Sequence, residues 1–441
     1  MDDLEQLSQL KVKRFNSLNE RRYEGGRLQR LLYRFKKISA EKGFFLAMAT
    51  LTPLYTRFVM IELAKKAREV VKNRKFKKDI ILINKGMDSS ISSDINMPLV
   101  YSVKITGGLG DALMVARFVR DFQNELDYDA YFDIYAQSPG IVTFFYENIP
   151  GFRKVFYPES YSLGLPGYDF SLVANQFVTF NEQQFNANKI VKRFPKVLDA
   201  YSFNKNTRES IEKYISVHPF LDGAFADVAT KQGKRRYSYL HEMVGIKYSG
   251  NGLELTLDEQ VLERLNLSSV EYITIHDGWD NNFNLAAARP TKALPYDTWV
   301  SIVKKIKDAL PEIKIVQLGG KTGADIPGVD FNFRNKIKFK ESAAVISGSL
   351  LHVDAESGLV HLGAALGTKC LVAFGPTNID WFGYETNINI PPSRCGNCWW
   401  SSDTWMDSCP LGHVKPVCTL TQSPENIAQK AIEYLKAEVS S

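Results

Sequence analysis

From residue 98 onward the chain alternates short apolar runs with amphipathic stretches at helical spacing. That alternation restricts it to the α/β class with parallel sheets, because each buried strand must cross back through a helix. Residues 99–106 read as a strand, turned by Gly107-Gly108-Leu109-Gly110 into a helix over 111–125. Residues 131–136 and 170–174 read as further strands. Residues 181–250 combine Lys, Arg and aromatic residues with few glycines, which predicts helices without defined ends. The pattern restarts near residue 250. Strands are expected over 271–275, 313–318, 350–354 and 370–374, and helices over 296–310, 339–346 and 357–366. Ser357 is a natural N-cap for the last helix and Gly367 its stop. Two such units in 441 residues predict an N-terminal lobe over 98–250 and a C-terminal lobe over 251–441. Ligands bind in the cleft between such lobes.

The first 97 residues are of another kind and read as a basic helical extension with a linker. Residues 1–80 carry 20 Lys and Arg against 9 Asp and Glu, whereas the whole chain has a net charge of only +6. A basic arm beside a mildly acidic body points to an anionic surface, membrane or nucleic acid, or to a helical arm with solvated basic faces. No nucleic-acid motif is present, so peripheral contact with an anionic membrane through residues 1–80 is the expected partner and nucleic acid is not. Residues 44–63 are the most apolar stretch, but Arg57 and Glu62 make a bilayer crossing costly. An interfacial helix or a helix packed on the body remains. Residues 84–97, rich in Ser, Asp and Asn, read as a loop. Asp2, Asp3 and Glu5 replace the basic start of a signal peptide, so a cytoplasmic location is expected, peripheral at the inner membrane face.

Chemistry is expected at two turns. In the first, glycines at 107, 108 and 110 let a substrate approach the backbone closely. Asp111 then either favours its own helix dipole or serves as a general base at the cleft. The turn is not GxGxxG, so the dinucleotide fingerprint is absent. The second is Asp354-Ala355-Glu356-Ser357-Gly358-Leu359-Val360-His361, a strand end entering a helix. Amides at Ser357, Gly358 and Leu359 would suit a diphosphate, and Glu356 a ribose. The plain alternative is a capped helix. His361 reads as helix packing more readily than as a cleft residue.

Residues 354–366 followed by Phe374-Gly375-Pro376-Thr377 resemble the signature of glycosyltransferase family 9, the ADP-heptose heptosyltransferases. Asp111 fits the turn ending Gly-Asp of that family, and Lys292-Ala293-Leu294-Pro295 resembles its Lys-x-Trp-Pro element. The resemblance covers about residues 100–380. It implies the GT-B architecture, two Rossmann-like lobes facing a cleft, with the donor on the C-terminal lobe. It also implies an inverting enzyme without a catalytic metal. Asp111 would be the base, with Gly108 and Gly110 in the acceptor loop. Lys292 would neutralise donor phosphate, Glu356 hold the ribose, Ser357 and Gly358 cradle phosphate, and Thr377 line the same pocket. The implied reaction moves heptose from ADP-heptose to a cell-surface glycan, a lipopolysaccharide core or a protein hydroxyl. Glu356 stands where the family usually has Asp, Leu294 where it has Trp, and His276-Asp277-Gly278 where it often has His-Pro-Gly. A GDP- or UDP-sugar donor is one alternative. A non-catalytic scaffold is another, opposed by the joint presence of Asp111, Lys292 and the 356–361 segment.

Four of the five cysteines lie at Cys395, Cys398, Cys409 and Cys418. That spacing suits a structural zinc or iron site, since four thiolates leave no open position. The cluster resembles the cysteine finger found in a subset of bacterial protein heptosyltransferases. His413 is a substitute ligand, and Cys370 reads as core. Trp399, Trp400 and Trp405 read as a small core around the metal, or else as a stacking surface for a sugar acceptor or a neighbouring subunit.

Overall fold

The computed structural model describes residues 3–21, 39, 97–278 and 289–439. The expectations for residues 44–63 and for nearly all of 84–97 lie outside these. Among the described residues no helix is long and apolar enough to cross a membrane.

Helix α1 (Asp3–Arg21) lies against the body. Leu7 and Leu18 are buried, and Phe15 packs beside Tyr214 at 5.9 Å between ring centroids. Two of its basic residues, Lys11 and Arg14, are used internally, while Lys13 is exposed. Lys11 pairs with Asp227 at 2.6 Å, and Arg14 pairs with Asp403 at 2.6 Å while donating to the Phe220 carbonyl.

The first sheet is built from β1 (Leu99–Ile105), β2 (Ala130–Tyr135), β3 (Phe152–Phe156), β4 (Phe170–Ala174) and β5 (Val178–Phe185). Its order is β3-β2-β1-β4-β5, with β5 alone antiparallel. Strand β5 falls where helix was expected. An edge strand buries one face only, so Val178 and Phe180 are buried while Thr179 and Asn181 between and after them are half-buried, and no apolar run marks it. Helix α2 (Leu109–Glu125) follows β1 and starts two residues earlier than expected, which makes Asp111 its third residue. Helix α3 (Pro139–Tyr146) links β2 to β3. Helices α4 (Pro195–Ile215), α5 (Asp222–Lys231) and α6 (Arg236–Glu242) complete the lobe.

The second sheet contains β6 (Tyr272–His276), β7 (Lys314–Leu318), β8 (Phe331–Asn332), β9 (His352–Ala355), β10 (Cys370–Ala373) and β11 (Ile388–Ile390), all parallel, in the order β11-β10-β9-β6-β7-β8. Helices α7 (Tyr296–Ala309), α8 (Phe339–Ser347), α9 (Gly358–Leu366) and α10 (Pro424–Val439) cover it. Trp299, Ile302 and Ile306 of α7 share one core with Ile427, Ala431 and Leu435 of α10. Cys370 is buried in β10, as expected of a core residue.

Strand order reverses beside the first strand of each sheet. In the first sheet the chain moves outward from β1 to β3 and restarts at β4, and in the second it moves from β6 to β8 and restarts at β9. Crevices at the carboxyl ends of strands at such points are where α/β sheets bind ligands. Asp111 follows β1, Gln176 follows β4, and Glu356 follows β9.

Candidate active site between the two lobes

Asp111 is held by its own loop and by a distant helix. Its Oδ2 accepts from the Gly108 amide at 3.1 Å, and its Oδ1 accepts from Arg236 Nη2 at 3.0 Å and Gln176 Nε2 at 3.4 Å. Arg236 is 1% exposed and also donates to the Asn175 carbonyl at 2.8 Å. Gly107 has φ 145°, and a Cβ there would collide with the Asp111 carboxylate. Only glycine leaves room for this fold-back.

Across the lobe boundary, α9 begins with Ser357 as N-cap. Its Oγ accepts from the Leu359 amide at 3.1 Å and donates to Asp354. The Leu359 amide is thereby engaged in capping, which corrects its expected place in an anion site and leaves that part to Ser357 and Gly358. Asp354 is fully buried and lies 3.0 Å from His276 Nδ1 through both carboxylate oxygens. Burial alone would raise the Asp354 carboxyl, but the charge and hydrogen bond of His276, with His352 beside it, take it down to about 2. His276 moves the other way. Burial pushes it down, and the Asp354 carboxylate overrides that and raises it.

Glu356 is buried, and His361 Nε2 stands 3.5 Å from its Oε1. Burial raises the Glu356 carboxyl, yet His361 and the charge of Lys292 leave it below the usual range. Lys292 thus belongs to the same cluster, since its charge also opposes protonation of His276. Thr377 is 3% exposed and its Oγ1 has no hydrogen-bond partner among the described residues. A hydroxyl left so is costly unless a ligand satisfies it.

The two turns meet. A Cβ on Gly110 would come within 2.5 Å of His361 Cδ2, and one on Gly358 would lie 3.7 Å from the Gly110 amide nitrogen. Behind this contact Arg117, fully buried on α2, donates to Tyr384 Oη at 2.6 Å, to the His361 carbonyl at 3.0 Å and to the Asn251 carbonyl at 2.7 Å. Tyr384 Oη in turn lies 2.9 Å from His361 Nδ1. His361 is therefore buried, as helix packing requires, and bonded as well to the second turn's own carboxylate. Sequence reasoning missed Arg117, Arg236 and Tyr384, and no spacing or motif marks them.

The cysteine segment is folded onto both lobes. Among the described residues no group of three or more His, Cys, Asp or Glu side chains is arranged to hold a metal ion. Of the residues expected as ligands, Cys395, Cys398, Cys409 and Cys418, the first and last hydrogen-bond to each other. That bond takes the Cys395 thiol down to about 6. Burial, then Cys409 and Cys395, push Cys398 up to about 12, so these thiols share one neighbourhood. His413 is turned to Asp3 of α1 at 3.3 Å. Trp399 stands edge-on to Phe382 at 4.9 Å and Trp400 to Phe220 at 5.9 Å, so these rings seat the segment on its neighbours.

No family model and no curated protein matches this sequence. Solved structures do. The bacterial iron-containing dodecameric glycosyltransferase TibC from enterotoxigenic E. coli H10407 superposes with a TM-score of 0.52 at 13% identity, over 78% of this chain and 80% of that one. This chain has the GT-B fold. The family 9 glycosyl transferase from Veillonella parvula DSM 2008 is similar at 12% identity over 77% of this chain and 97% of that one, with a TM-score of 0.44. The E. coli ADP-heptose lipopolysaccharide heptosyltransferase II is similar at 15% identity over 77% and 98%, with a TM-score of 0.43.

Proposed function

We propose that this chain is an inverting glycosyltransferase that moves heptose from ADP-heptose to a hydroxyl of a glycan or protein acceptor. The observation that carries the reading is the meeting of the Asp111 turn with the Glu356–Gly358 turn at the switch points of the two sheets. Asp111 accepts the proton of the acceptor hydroxyl. The freed oxygen attacks the anomeric carbon from the face opposite the diphosphate. The bond from that carbon to the diphosphate oxygen breaks, and its electron pair leaves on ADP. Lys292 and the Ser357 and Gly358 amides meet the charge that develops there. The unpartnered Thr377 hydroxyl donates to the same phosphate, and Glu356 accepts from the ribose.

The four thiols are the residues that would hold a structural zinc or iron ion. Their shared neighbourhood supports this, as does a neighbour of the same fold described as iron-containing. Four thiolates close the shell of such an ion, so it supplies structure and takes no part in transfer. Metal analysis of the purified protein tests this.

Calorimetry against ADP, GDP, UDP, CMP and ADP-heptose tests the donor. Selective binding of ADP and ADP-heptose supports the reading, and another preferred base replaces the donor. Absence of binding by folded protein leaves a scaffold. With the donor known, Asp111→Asn separates the steps. Transfer should fall by about 10²-fold or more while ADP affinity stays constant, and full activity would remove Asp111 as base.

A further inference from the structure

The cysteine-bearing segment 395–422 touches the C-terminal lobe at two places, each beside a residue assigned above to donor phosphate. On one side it holds Thr291, the neighbour of Lys292, three times. The Thr291 amide donates to the Met406 carbonyl at 2.9 Å and its Oγ1 to the Trp405 carbonyl at 2.8 Å. Its carbonyl accepts from Thr419 Oγ1 at 3.1 Å. On the other side it holds the turn that ends in Thr377. Gln422 Nε2 donates to the Phe374 carbonyl at 2.7 Å, the Asn397 amide to Gly375 at 3.3 Å and the Trp399 amide to Pro376 at 2.8 Å.

These contacts leave little freedom. Thr291, Thr419 and Gln422 are all buried, so an unmade bond there carries its full desolvation cost. A Cβ on Gly375 would lie 2.6 Å from Thr419 Cγ2, and one on Gly396 would lie 3.1 Å from the Gly375 carbonyl oxygen. Thr419 thus touches both loops, with its hydroxyl on Thr291 and its methyl against Gly375. Both loops lack helix or strand of their own at these residues. The segment is itself pinned to the first lobe, because Asp227 on α5 accepts from Asn397 Nδ2 at 2.7 Å, and the same carboxylate accepts from Asn378 Nδ2 of the Thr377 loop at 3.1 Å.

We propose that segment 395–422 is a brace that sets the separation of Lys292 and Thr377, so that donor affinity depends on how it is folded. This rests on the donor reading of those two residues. Thr291 and Thr419 are then positioning residues that touch no substrate. Coupling of this kind is reciprocal, so a bound nucleotide must tighten the brace as much as the brace tightens the nucleotide.

The test uses the full chain. Thr291→Val and Thr419→Val keep the shape and remove the hydroxyls, and Thr291→Ser and Thr419→Ser restore them. The expected result is ADP affinity about tenfold weaker in each Val variant and regained in each Ser variant. Donor KM should rise with it, and acceptor KM should stay unchanged. Val variants that fold and bind ADP like the parent would overturn the brace. Hydrogen exchange of the unaltered protein gives a second reading that no folding failure affects. ADP should slow exchange at the Thr291 and Trp399 amides, and unchanged exchange under saturating ADP would also overturn it. A parent protein that binds no nucleotide marks instead the failure of the donor reading itself.

Discussion

Arg236 Nη2 donates to Asp111 Oδ1 at 3.0 Å, across 125 residues of chain and from a side chain that is 1% exposed. The carboxylate proposed as base is therefore aimed by a helix of the same lobe. Arg236→Met should lower kcat about tenfold to a hundredfold, the range for one lost charge-assisted bond. ADP affinity should stay constant, since among the described residues the hydrogen bonds of Arg236 lie within the first lobe. Steady-state kinetics with calorimetry separates the two quantities, and a fall in ADP affinity equal to that in kcat would contradict the orienting role.

Tyr384 stands between Arg117 and His361. Its hydroxyl accepts from the guanidinium at 2.6 Å and lies 2.9 Å from His361 Nδ1, while Nε2 of the same ring faces Glu356 at 3.5 Å. Tyr384→Phe should free the ring and weaken ADP binding roughly threefold to tenfold. Loss of the ribose hydroxyls, in 2′,3′-dideoxy-ADP, should weaken binding to the parent strongly and to this variant less. Equal discrimination in both proteins would show that the ring is held by packing alone.

His276 and Asp354 give opposite limbs of a stability profile. Asp354 titrates at about 2 when folded, below its ordinary 3.8, so its contribution is present above the ordinary value and is lost as pH falls toward 2. The difference corresponds to about 2 kcal/mol. His276 is raised, so its contribution is complete below the ordinary histidine value and fades as pH rises through its folded one. His276→Asn should flatten the fall in Tm on the alkaline side and weaken the acid limb. Thermal melts from about pH 2 to about pH 9, which span both groups, check this, and a parallel shift of the whole curve would refute it.

Gly110 sets two local effects against each other. Alanine favours a helix over glycine by roughly 0.5–1 kcal/mol, but a Cβ at this site would stand 2.5 Å from His361 Cδ2. Overpacking costs about 1–3 kcal/mol, so the collision outweighs the propensity. Gly110→Ala should lower both Tm and transfer, and a rise in Tm with full activity would show that the lobes do not press together here.

Much of the site was legible because its signals are local. The turn after β1 and the N-cap at Ser357 each occupy a few consecutive residues, and backbone geometry dictates both. Strand β5 was not legible, since an edge strand with one dry face lacks the apolar run of its buried neighbours. Leu359 shows the converse limit. Its amide was counted as free, but the Ser357 side chain that marks the helix start is the group that takes it.

The sequence by itself determined the alternation of strand and helix and the two glycine-bearing turns, because these follow from contacts between residues close along the chain. Tertiary structure alone decided that Arg236 reaches Asp111, that Arg117 and Tyr384 back His361, and that segment 395–422 grips the loops at Thr291 and Pro376. Those partners lie from 23 to 267 residues apart along the chain. Burial makes such bonds strong by removing water as a competitor, and which groups are buried together is settled only when the two lobes pack.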